Sequence, residues 1–98
     1  MPRADYSFIR PEIREAIDAY AEMGRPVGGF LTAALENNLR EAFGMADEGN
    51  IEAMFHIVCY FHNEIPGLCW GSPERVKAWL LKKEQERSAA VVPNHGRA

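Results

Sequence analysis

The residues best suited to chemistry fall on one stretch, His56-x-x-Cys59-x-x-His62, with Cys69 seven residues further on. Imidazole and thiolate are ligands of zinc. On a helix each three-residue step turns the side chain by about 300 degrees, so neighbours in the series lie close while His56 and His62 diverge. Cys69 would have to fold back to complete a shell, and the spacing matches none of the usual zinc signatures. The simpler reading is a Cys packed on an apolar helix, as this residue type often is, with histidines at its margins. His56, Cys59, His62 and Cys69 therefore stand as candidate ligands only, and no metal or cofactor is expected.

The same residues are the candidates for nucleophilic catalysis, since a Cys–His pair can form a reactive thiolate. Nothing in the sequence supplies a loop of oxyanion-binding type. Ser72 is explained as a helix cap, and the carboxylates fall on solvated faces, often beside a base, as Asp18 does with Arg14 and Glu41 with Arg40. Gly28-Gly29 lacks the preceding strand and following Lys-Ser/Thr of a phosphate loop, and reads as a tight helix entry. The expectation is a protein that is not an enzyme. Trp70 and Trp79 read first as core or core-edge residues, but aromatics near a short loop are also common anchors of protein interfaces.

The elements that must position these residues are helical. Pro11 suits the first position of a helix carrying Ile13, Ala16, Ile17 and Tyr20, which Gly24 ends, giving a helix over 11–23. Residues 28–45 repeat apolar side chains three or four apart, but Asn37-Asn38 interrupts them, so this is one kinked helix or two short ones. A third helix over about 50–64, capped by Asp47 or Asn50, carries Ile51, Met54, Phe55, Val58, Phe61 and Ile65. It is apolar on more than half its circumference and is expected to be central. Ser72-Pro73-Glu74 then starts a last helix over about 73–87, with Val76, Trp79 and Leu80 inward. The predicted architecture is all-α, a compact bundle or orthogonal array of about four helices. It comprises an extended lead-in over 1–10 with docking aromatics, one helical domain over 11–87, and a flexible tail over 88–98.

Charge and composition narrow the function classes. Residues 1–73 carry five basic and eleven acidic side chains, a net of −6, whereas residues 74–98 carry six and three, a net of +3. An acidic body argues against broad coating of nucleic acid. Only the stripe Arg75, Lys77, Lys82, Lys83 and Arg87 could touch phosphate, and Glu74, Glu84 and Glu86 interrupt it. No apolar run approaches the roughly 20 residues of a membrane span, and the first residues hold no apolar segment of signal-peptide type. With Cys59 and Cys69 as free thiols, a reducing cytoplasmic setting is expected. The 47% apolar content leaves side chains beyond what so short a chain can bury. A contiguous surface patch is expected, and self-association as a homodimer is open to the chain.

Two segments, Gly28-Gly29-Phe30-Leu31 through Asn37-Asn38-Leu39 and Cys69-Trp70-Gly71-Ser72-Pro73-Glu74, carry a resemblance. With Asn63-Glu64-Ile65-Pro66 between them, they resemble a family of short, uncharacterised proteins encoded by bacteriophages and prophages, over about residues 11–81. The resemblance implies a small cytoplasmic protein made in an infected or lysogenic host, of a class that often acts by binding a host or phage protein. The leading expectation is a non-enzymatic helical binding module, a phage-type accessory protein acting by protein–protein contact, with Trp70, Trp79, Lys82 and Lys83 as interaction candidates. A nucleic-acid-binding regulator using the last helix is the second class. A His/Cys metal-binding or catalytic protein is the third.

Overall fold

The structure is a computed structural model that describes residues 3–91. Five α-helices follow one another: α1 (Pro11–Met23), α2 (Gly29–Leu35), α3 (Leu39–Met45), α4 (Glu48–Glu64) and α5 (Pro73–Val91). Short 3-10 turns at Tyr6–Phe8 and Gly67–Cys69 precede α1 and α5, and no strand occurs among the described residues. The all-α class is as expected, with five helices in place of four. The extra helix comes from Asn37, whose left-handed backbone (φ 64°) divides the 28–45 stretch into α2 and α3. Asn tolerates that conformation better than most residues. No helix among the described residues is long and apolar enough to cross a membrane.

Most helix boundaries follow from local chemistry. Pro11 opens α1, and Gly24 closes it at φ 72° with its N–H on the Tyr20 carbonyl. A Cβ at Gly24 would also run into the side-chain stem of Lys83, so both the backbone and the packing there require glycine. The Asn38 Oδ1 accepts from the Glu41 N–H at 3.2 Å, Asp47 Oδ1 from the Asn50 N–H at 2.8 Å, and Ser72 Oγ from the Arg75 N–H at 3.1 Å. Each cap satisfies an amide that the helix itself cannot. Asp47 also receives Arg10 Nη2 at 2.9 Å. The Asn50 amide bond, and then Arg10, hold the Asp47 carboxyl below its usual range. The last helix runs past Arg87 to Val91, so it includes the start of the expected tail. Residues 92–98 lie outside the described residues.

The core joins all five helices around Ile17, Tyr20, Leu35, Ile57, Phe61 and Cys69, the largest side chains that are fully buried. Two hydrogen bonds tie the 65–72 connection into it, and a third joins α5 to α1. Tyr20 Oη donates to the Cys69 carbonyl at 2.6 Å, and the Gly71 N–H donates to the Leu35 carbonyl at 2.7 Å. Trp79 Nε1 donates to the Tyr20 carbonyl at 3.2 Å. These three core donors are therefore paired, as a dry interior requires. The lead-in is not simply extended: Asp5 caps a 3-10 turn, with Oδ1 accepting the Ser7 N–H at 3.0 Å. Its aromatics do dock. Tyr6 meets Tyr60 edge-on at 4.9 Å, and Phe8 stacks on His56 at 4.6 Å.

Candidate protein-contact face

The His and Cys residues do not converge. His56 Nδ1 accepts the Asp5 N–H at 3.0 Å, which spends that nitrogen on anchoring the lead-in. Cys59 is buried, His62 is exposed, and neither cysteine is in a disulfide. Cys69 is wholly buried, with its Sγ 3.1 Å from the Pro66 carbonyl, and burial pushes its thiol up to about 11. A thiol in that state is a poor nucleophile at neutral pH, because the thiolate is the reactive form. Among the described residues no three His, Cys, Asp or Glu side chains are placed to share a metal ion.

The two tryptophans have different roles. Trp79 is 7% exposed and belongs to the core, held by its indole bond to Tyr20. Lys82 and Lys83 place their ammonium groups 4.8 and 5.0 Å from the Trp79 ring centre, and both pair with Glu86 at 3.3 Å. Those two bases hold the Glu86 carboxyl below its usual range. Elsewhere on α5, Arg75 turns back onto the Gly67 and Trp70 carbonyls, and Arg87 onto the Met23 carbonyl. Much of the basic stripe is thus committed to the protein itself. Trp70 is half-buried, tilted against Phe61 at 5.3 Å, and keeps an accessible edge.

The exposed part of Trp70 lies beside a run of exposed apolar side chains on α3 and α4. Leu39 (66% exposed) and Phe43 (41%) lie one turn apart on α3. On α4, Ile51 (44%), Phe55 (38%) and Val58 (39%) form a row that ends in the exposed His62. The two helices meet there: Leu39, Ala42, Met54, Val58 and Trp70 line one small hollow. Phe55, Val58, Cys59, His62, Asn63 and Trp70 line a neighbouring one of about 200 Å³. Val58 and Trp70 are common to both, so the surface is continuous.

The helix expected to be central, α4, has seven buried residues, but part of its apolar circumference faces out. Ala53, Met54, Ile57, Tyr60 and Phe61 face inward, whereas Ile51, Phe55 and Val58 face out. The reason is supply: α2 and α3 are seven residues each, too short to wrap a two-sided apolar helix. The row could have been read from the sequence as a second apolar register on α4, at 51, 55 and 58, beside the inward one at 53, 54, 57, 60 and 61. Of the interaction candidates, Trp70 lies on this face, while Trp79, Lys82 and Lys83 form a separate cluster on α5.

A further hollow, lined by Tyr6, Ile9, Arg14, Glu15 and Asp18, sits beside a polar knot. There Tyr60 Oη donates to Asp18 Oδ1 at 2.6 Å, and Arg14 lies 5.3 Å from the Tyr60 ring centre. Burial, and then the Asp18 bond, raise the Tyr60 phenol. These groups satisfy one another and fasten α1 to α4. Comparison of the chain with protein-family models, with curated proteins and with solved structures finds no match.

Proposed function

We propose that the chain is a non-enzymatic helical binding module, a phage-type accessory protein that acts by protein–protein contact. The observation that carries this reading is the continuous apolar face of α3, α4 and Trp70, where five large side chains remain between 38 and 66% exposed. Scattered exposed hydrophobics are ordinary, but a contiguous patch with polar groups at its rim marks an interaction surface. Glu48, Glu52 and Asn63 supply such a rim on α4. An aromatic in a shallow pocket, here Trp70, is the usual form of an interface anchor.

The test compares the wild-type chain with Val58→Glu in capture from host lysate, read by quantitative mass spectrometry. Val58 is 39% exposed and central in the row, so a charge there spoils the face without entering the core. Loss of a bound protein by about tenfold or more is expected for a central interface position. Equal capture by wild type and variant, with both folded, would sink the reading.

A further inference from the structure

The exposed row on α4 is regular enough to receive another helix. Ile51, Phe55, Val58 and His62 are separated by four, three and four residues. That spacing keeps the four side chains on one face, along which a second helix can lie. The row spans about 16 Å along one side of α4 at 1.5 Å per residue. It is also unlike at its two ends. Glu48 and Glu52 lie at the N-terminal end, and His62, the basic residue of the last turn, lies at the other.

These features suit one occupant. We infer that the face is closed by a second copy of this chain, with the two α4 helices packed antiparallel about a two-fold axis between Phe55 and Val58. The inference rests on the contact-face reading above and names its partner. In this register Phe55 of each copy meets Val58 of the other, and Ile51 meets His62. Glu48 and Glu52 then flank the opposing His62, whose imidazole N–H can donate to a carboxylate in either protonation state. A parallel pair would set Glu48 and Glu52 against their own copies, and like charges across an interface select against that arrangement. Antiparallel packing also opposes the helix dipoles favourably.

The area fits a weak, reversible dimer. The exposed parts of Leu39, Phe43, Ile51, Phe55 and Val58 amount to roughly 400–500 Å² per copy, against about 800 Å² per partner in a standard interface. The exposed His62, Asn63, Glu48 and Glu52 and the half-buried Trp70 lie at the rim, and an area of this size belongs to weak, reversible association. A two-fold interface uses the same patch twice, so the assembly closes at two copies and does not propagate.

Sedimentation velocity of the full chain over rising concentration tests the association. A monomer–dimer equilibrium is expected in the micromolar range. Val58→Glu should be monomeric throughout with an unchanged helical circular dichroism spectrum. Leu81→Glu, at an exposed position on α5 outside the row, should dimerise as the wild type does. Mild oxidation of Ile51→Cys and His62→Cys variants, alone and mixed, tests the register, with the wild type controlling for the two buried native thiols. Only the mixture should give a cross-linked dimer. Rapid cross-linking of the Ile51→Cys variant alone would overturn the antiparallel pairing. A wild type that stays monomeric to the solubility limit would overturn the dimer. If such a monomer still captures a protein through Val58, the contact-face reading stands without it; if it captures none, both fail.

Discussion

Tyr20→Phe removes one oxygen from the centre of the molecule, and the structure sets the cost. Tyr20 is wholly buried, and its hydroxyl donates at 2.6 Å to the Cys69 carbonyl. Burial raises the phenol well above its ordinary value, so the proton that makes the bond is retained throughout the neutral range. The phenylalanine ring fills almost the same space, so little packing is lost. What remains is a buried carbonyl without its donor, at a cost of about 1–3 kcal/mol. For a domain of this size each kcal/mol shifts the melting temperature by about 4–8 °C. The carbonyl belongs to the residue before Trp70, so the loss should also loosen that side of the contact face. The assay is thermal unfolding followed by circular dichroism, with tryptophan fluorescence recorded on the same samples. A melting temperature within about 2 °C of the wild type, or above it, would refute the claim that this bond fastens the 65–72 connection to α1.

Three further outcomes are expected. Gly24→Ala should destabilise by more than the roughly 0.4–1 kcal/mol that Gly→Ala replacements contribute where they fit, because φ is 72° and the new methyl meets Lys83; chemical denaturation measures it. Stability should decline as pH rises from about 9 towards 11. The unfolded Cys69 thiol loses its proton from its ordinary 9.0 upward while the folded one holds it to about 11, so the folded state binds more protons in that window. The decline should be smaller in Cys69→Ala, and denaturation midpoints at several pH values would expose a flat profile that contradicts it. Mixed-sequence duplex DNA should show no mobility shift at physiological salt, since Lys82 and Lys83 share Glu86 and Arg75 and Arg87 are turned onto carbonyls. Few phosphates are then left to be neutralised. Tight, salt-sensitive binding abolished by Lys82→Glu with Lys83→Glu would contradict this.

The elements were legible where the signal is local. Pro11, Gly24, Asp47, Ser72 and Pro73 act on amides or backbone angles within a few residues of themselves, so they mark helix ends in any context. The division at Asn37 was visible as an alternative, because the side chain weakens a helix whether or not the chain then turns left-handed. The end of α5 was missed: its last turn, Ser88 to Val91, lacks the apolar period by which the sequence is read, but its residues tolerate a helix well enough to continue one.

The candidate site was legible only in part. Trp70, Cys59 and His62 stood out by residue type, yet two of them stood out for metal chemistry that the packing does not assemble. Ile51, Phe55 and Val58 were counted among the apolar residues of a central helix, because hydrophobicity says that a side chain prefers burial. It does not say whether the fold has a surface left to bury it against. Composition predicted the surplus, since a chain of 98 residues cannot enclose every apolar group. Which groups are left outside is a competition among all five helices for one small core. Tyr20, Ile57 and Phe61 occupy it, α2 and α3 are too short to cover the other side of α4, and only the tertiary structure settles that outcome.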